Sequence, residues 1–170
     1  MGAVTPPRPL AGDDDREAFD CGRETLNGWF RRNAWRNQQS GASRTSVIAD
    51  RVSGRIAGYV SLSMSEIRRT WLPKADRRNQ PDPIPALLLG QLAIDLDYQG
   101  QGHAASLMAF VLNTTIRVAE DLGCFALITH PLDDDVRAFY RQFGFVELPH
   151  DPHRSMAAKV SDLRTSGFSI

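Results

Sequence analysis

Residues 87–107, reading LLLGQLAIDLDYQGQGHAASL, limit what this chain can become more than any other stretch. An apolar run (Leu87, Leu88, Leu89, then Leu92, Ala93, Ile94) is too short and too interrupted to cross a membrane. It passes through a polar hinge, Asp95 to Tyr98, into Gln99-Gly100-Gln101-Gly102-His103-Ala104, where an amphipathic helix begins. A buried strand that turns through a Gly-rich loop into a helix N-terminus is an anion-binding device. Glycines let the backbone approach a ligand, and the first-turn N–H groups point outward without partners. The loop is neither G-x-G-x-x-G nor a P-loop, since no Gly-Lys-Ser/Thr follows. Taken alone it also reads as an ordinary strand–turn–helix junction.

At 170 residues the chain reads as one domain, long enough to bury a sizeable core. Twenty basic and twenty acidic side chains cancel, so any nucleic-acid site must be a local patch. Cys21 and Cys124 are in no CxxC pair, which argues for reduced thiols and against zinc. The N-terminus (MGAVTPPRPLAGDDD) has no apolar signal core, and no stretch is a candidate membrane span, so the expected compartment is the cytoplasm.

In chain order, Met1 to Leu10 carries three prolines and reads as an edge-like lead-in. Asp13, Asp14 and Asp15 are expected to cap a short helix through Phe19 rather than to hold a metal. Cys21 to Ser40 reads as a helix with Trp29 and Phe30 inward and Gly41 as its stop. Thr45–Asp50 and Arg55–Met64 read as a hairpin turned at Ser53-Gly54. Glu66 to Pro85 is Pro- and Arg-rich with little periodicity, the mark of a long functional or mobile loop. After the central strand, a helix from about Gly102 to Leu122 faces inward through Ala104, Leu107, Met108, Val111, Val118 and Leu122. Then follow a buried strand (Cys124–Thr129), a helix from Asp133 to Gln142 with acids at its start, and closing strands at Phe145–Leu148 and about Ser155–Val160. The tail from Ser161 gives no signal.

The Gln-x-x-Gly-x-Ala spacing of Gln99 to Ala104 resembles the pyrophosphate loop of the GNAT (Gcn5-related) N-acetyltransferases. Phe139-Tyr140-Arg141-Gln142-Phe143-Gly144-Phe145, by itself a helix end and core anchor, resembles the last shared motif of the same family. There the tyrosine lies near the acetyl-CoA sulfur. The resemblance covers roughly Phe19 to Val160. The segments NQQSGASRTS, GYVSLS, PIP followed by LLLGQLAID, and FYRQFGF fall in the order of one subgroup, the toxins of type II toxin–antitoxin modules. Such toxins acetylate the α-amine of aminoacyl-tRNA, act as homodimers and are neutralised by a ribbon-helix-helix antitoxin. The chain departs from the subgroup at Gln91, where arginine is common, at Gln101 and His103 in the loop, and across Thr129–Asp135 (THPLDDD). Without a basic residue in the loop, phosphate binding rests on backbone N–H groups.

The resemblance implies an α/β fold with a mixed, mostly antiparallel sheet, splayed at the acetyl-CoA site and flanked by helices. It implies that the loop Gln99, Gly100, Gln101, Gly102, His103, Ala104 and Ala105 holds the pyrophosphate, that backbone groups of Leu92, Ala93 and Ile94 pair with pantetheine, and that Phe139 also contacts the cofactor. Tyr140 is then the general acid, protonated at neutral pH because a tyrosine ordinarily titrates near 10. No residue stands out as general base, and Asp95 and Glu66 are the only helpers in view. His103 reads as a phosphate contact or a neutral, partly exposed ring, with the second preferred, and His130, His150 and His153 read as surface residues. Arg31, Arg32, Arg36, Arg68, Arg69, Lys74, Arg77 and Arg78 read either as a tRNA-facing patch or as solvated faces. Trp71 either stacks a base or buries the loop. No metal is expected. Two further readings stay open: a GNAT acting on a small amine or protein N-terminus, and a non-catalytic CoA binder.

Overall fold

The computed structural model describes residues 3–166; the expectations for Met1, Gly2 and 167–170 lie outside it. Seven strands form one sheet: β1 (Arg8–Pro9), β2 (Arg44–Ala49), β3 (Ile56–Ile67), β4 (Ile84–Ile94), β5 (Ala126–Thr129), β6 (Val146–Glu147) and β7 (Met156–Lys159), in the order β1-β2-β3-β4-β5-β7-β6. β4 and β5 run parallel, whereas β1–β2, β2–β3, β5–β7 and β6–β7 are antiparallel. The helices are α1 (Glu24–Trp29), α2 (Trp35–Ser40), α3 (Lys74–Arg77), α4 (His103–Asp121), α5 (Asp134–Arg141) and α6 (Val160–Thr165). No helix among the described residues is long and apolar enough to span a membrane.

The described residues form two compact units, residues 3–63 with Gly90–Val111, and Met64–Leu89 with residues 112–166. In the first, Phe19, Phe30 and Tyr59 are fully buried around Val47, Ile56 and Ala93. The Tyr59 ring stacks on Phe30 at 4.3 Å and 12°, with Phe19 edge-on at 5.4 Å. Burying each such ring contributes about 1.5–3 kcal/mol. The Tyr59 hydroxyl, whose pKa burial pushes up, keeps a partner by donating to the Leu26 carbonyl at 2.8 Å. Gly58 sits where β4 comes closest: a Cβ there would lie 3.1 Å from the Ala93 carbonyl oxygen and 2.7 Å from Ile94 Cδ1. In the second unit, Ile67, Leu72, Ile84, Ala86, Ala126, Ile128, Leu148 and Ala157 form the core, with Trp71 packed against it.

Several expectations are corrected. Asp13–Asp15 cap no helix; Asp14 instead pairs with Arg8 at 2.7 Å, which holds its carboxyl below the usual range. The helix expected over Cys21–Ser40 starts at Glu24 and contains a π turn, Phe30–Ala34, between α1 and α2. The segment expected as a long loop is largely structured. β3 runs to Ile67, a 3₁₀ turn (Arg69–Trp71) and α3 follow, and β4 starts at Ile84, earlier than the apolar run suggests. Leu122, expected inward, is 58% exposed just past the end of α4, while Leu112 and Thr115 are buried. The tail without a signal forms α6 up to Thr165.

Candidate active site

In the first unit, β4 ends at Ile94 and the chain turns on a buried carboxylate. Asp95 is fully buried; one oxygen accepts from the Asp97 amide at 2.9 Å, the other from the Asp20 amide at 3.0 Å, and Arg55 Nη2 donates to both. These four hydrogen bonds occupy about all the acceptor positions a carboxylate has. Asp95 is therefore an anchor for the turn, and the helper-base role finds no free lone pair. A 3₁₀ turn, Leu96–Tyr98, follows, with the Tyr98 hydroxyl on Asp50 Oδ2 at 3.1 Å. Gln99 then clasps the loop to the strand end: its Nε2 donates to the carbonyls of Ile94 at 2.8 Å and Cys21 at 3.1 Å. Its side-chain amide is thus used to place the loop.

Gly100 and Gly102 both have left-handed backbone, with φ of +75° and +85°, and a Cβ on either would meet nothing within 4 Å. The glycines serve conformation, not clearance. α4 begins at His103, and the Ser106 amide donates to the Gly102 carbonyl at 3.1 Å. The amides of His103, Ala104 and Ala105 therefore precede that bond at the positive end of a 19-residue helix. No acidic side chain lies in its first turn to oppose an anion. His103 is half-buried, and its enclosed Nε2 meets no hydrogen-bond partner among the described residues. Leu92 is half-buried and Ala93 and Ile94 are buried at the end of β4. This is a donor-rich, acid-free loop that fits a pyrophosphate.

In the second unit, Asp133 caps α5 by accepting from the Val136 amide at 2.9 Å. Tyr140, in its last turn, is 6% exposed, with its ring 5.5 Å from Phe139 and 5.2 Å from Phe145. Burial pushes its pKa above the ordinary tyrosine value, opposed by a hydrogen bond with the Thr129 side chain. Thr129 Oγ1 in turn donates to the Leu89 carbonyl at 3.0 Å. Tyr140 is thus a neutral hydroxyl held in one place. Phe139 is half-buried, 5.1 Å from Phe143.

The expected basic residues divide between the units. Arg31 pairs with Glu24, Arg32 covers Gly28, and Arg36 is exposed. Arg68, Arg69, Lys74 and Arg78 are exposed, whereas Arg77 braces the segment through the carbonyls of Leu72 and Thr70, both at 2.8 Å. Trp71 is half-buried, with Arg68 over its ring at 5.9 Å and His153 edge-on at 6.4 Å. Glu66, on β3, is exposed, and His130, His150 and His153 are exposed outside the strands; His130 Nδ1 also meets Ser155 Oγ at 2.8 Å. No group of three metal-type ligands occurs among the described residues. Thr129 and the buried Arg137 were not singled out from sequence, because only folding gives them their partners.

The family model for the acetyltransferase (GNAT) domain matches residues 42–147, more than half of the chain. The chain belongs to the GNAT acetyltransferases. It is therefore an N-acetyltransferase that uses acetyl-CoA, and the mixed sheet flanked by helices is that of a GNAT fold. A "tRNA-acetylating toxin" of Mycobacterium tuberculosis is 34% identical over 152 residues, covering 89% of this chain and 90% of that protein. Among solved structures, AtaT complexed with acetyl-methionyl-tRNAfMet has a TM-score of 0.88 at 28% identity, covering 95% of this chain and 98% of that one. AtaTR bound with AcCoA has a TM-score of 0.82 at 28% identity, covering 95% and 96%. A mutant AtaT toxin bound to the C-terminus of the antitoxin AtaR has a TM-score of 0.79 at 25% identity, covering 95% of each chain.

Proposed function

We propose that this GNAT enzyme transfers the acetyl group of acetyl-CoA to the α-amine of aminoacyl-tRNA and so blocks translation as a toxin. The observation that carries this reading is the 34% identity, over about nine-tenths of both chains, to a protein named a tRNA-acetylating toxin. The backbone amides at the start of α4 would take the pyrophosphate, with His103 adding a ring nitrogen. Leu92, Ala93 and Ile94 would offer main-chain groups to the pantetheine, and one N–H there would polarise the thioester carbonyl. An oxyanion donor of this kind contributes about 3 kcal/mol. The neutral α-amine attacks the carbonyl carbon, a C–N bond forms and the C–S bond breaks. Tyr140 gives its proton to the departing thiolate, and the amine's surplus proton passes to solvent. An α-amine titrates near 8, and less when beside an ester, so a strong base is unnecessary.

Arg31, Arg32, Arg36, Arg68, Arg69, Lys74, Arg77 and Arg78 are proposed contacts for tRNA, with Arg77 acting mainly through the backbone it braces. A ribbon-helix-helix antitoxin, a homodimeric state and a cytoplasmic site of action belong to the same reading. The test is transfer of radiolabelled acetyl from acetyl-CoA to total tRNA. Label is expected on charged tRNA and absent from deacylated tRNA. Label on neither, with acetyl-CoA binding intact, would mean that the enzyme uses another amine.

A further inference from the structure

Three arginines of the second unit converge on one carboxylate oxygen. Glu147 Oε1 accepts from Arg137 at 3.2 Å, Arg141 at 3.4 Å and Arg154 at 3.1 Å. The three play different parts. The Arg137 side chain is only 7% exposed, donates to the Arg154 carbonyl at 2.8 Å and lies 3.7 Å from Asp134. It is the brace. Arg141 and Arg154 are 56% and 58% exposed and share that single, partly buried carboxylate with it. One negative charge orients three guanidiniums, and the other carboxylate, Asp134, lies on the buried one. The two outer forks are thus fixed in direction and only partly neutralised.

A guanidinium fork matches the paired oxygens of a phosphate, and pre-orienting it removes part of the entropy cost of binding. The position of the cluster matters as much as its charge. Arg141 directly follows Tyr140 in α5, with its side chain exposed where that of Tyr140 is buried. A nucleic acid has to approach the buried Tyr140 from the surface, and Arg141 is the exposed residue next to it in the chain. Fixed forks pair with carboxylates as well as phosphates, so an acidic protein segment is the competing occupant, and the salt dependence of RNA binding separates the two.

We propose that Arg141 and Arg154, held by Arg137 through Glu147, form a phosphate clamp for the acceptor-end backbone of the charged tRNA. The proposal rests on the reading that charged tRNA is the substrate. Because the clamp residues lie outside the basic stretches of residues 31–36 and 68–78, they can be tested separately.

The test compares wild type with the Arg141→Ala/Arg154→Ala and Arg141→Lys/Arg154→Lys double variants. It measures KM and kcat for charged tRNA at saturating acetyl-CoA, and the salt dependence of binding to deacylated tRNA. The alanine pair should raise KM about tenfold, leave kcat within about twofold, and lower the slope of log affinity against log salt by about one to two. The lysine pair should recover the slope but only part of the KM, since a point charge lacks the fork. Unchanged thermal unfolding would show that the exposed arginines are not needed for folding. An unchanged KM and slope, or a loss confined to neutralisation by an acidic protein partner, would overturn the clamp. If wild type acetylates no tRNA, the substrate reading fails, and the salt slope still decides whether these arginines bind RNA.

Discussion

In the proposed reaction Tyr140 is the proton donor, and its burial suits it to that role. Its ring lies against Phe139 and Phe145, and burial pushes its pKa above the ordinary value of about 10 while Thr129 holds the hydroxyl. The raised value favours the protonated form, so the acid is present at every pH below it. The α-amine must instead lose a proton, at about pH 8 or lower. Initial rates should therefore rise through neutrality and stay level to about pH 9.5. A fall beginning near pH 8 would contradict Tyr140 as the acid. Tyr140 was legible in the sequence because FYRQFGF is a local pattern. Thr129, which bonds its hydroxyl, lies eleven positions earlier and carries no signal of its own. Asp95 was legible as an acid beside the loop but not as an anchor, since its donors come from Asp20 and Arg55, distant in sequence.

At the scale of elements, the loop before α4 depends on two left-handed glycines. Gly102→Ala places a Cβ in open space, so its whole effect is backbone strain, costing about 1–2 kcal/mol. Relieving that strain would turn the amides that open α4. The expected outcome is a lower unfolding temperature and a several-fold higher KM for acetyl-CoA, measured by calorimetry and initial rates. An unchanged KM would mean that the loop is not the cofactor cradle. The strands and α4 were readable because apolar residues repeat with the period of each element. The π turn at Phe30–Ala34 was not, because a wide turn inside a helix leaves Trp29 and Phe30 facing inward as expected. The prolines at 83 and 85 hid the start of β4. Pro85 lacks an N–H, but its carbonyl still accepts from the Phe125 amide at 2.9 Å.

At the scale of the whole molecule, twenty positive and twenty negative side chains leave no long-range attraction for RNA. Any affinity for tRNA then comes from local groups of arginines, and composition cannot reveal their clustering. The GNAT assignment was legible because two motifs about forty residues apart fall in family order. The convergence of Arg137, Arg141 and Arg154 on Glu147 was not, because the arginines come from α5 and the segment before β7, and the carboxylate from β6. The central claim joins acetyl-CoA, charged tRNA and Tyr140 in one reaction. Its most direct test is nuclease digestion and mass spectrometry of charged tRNA after incubation with acetyl-CoA and either wild type or Tyr140→Phe. The account predicts N-acetyl-aminoacyl-adenosine with wild type and a rate about a hundredfold lower or more with the variant, at similar acetyl-CoA KM. N-acetyl-aminoacyl-adenosine formed equally fast by the variant would contradict the role of Tyr140, and its absence with wild type would contradict the substrate.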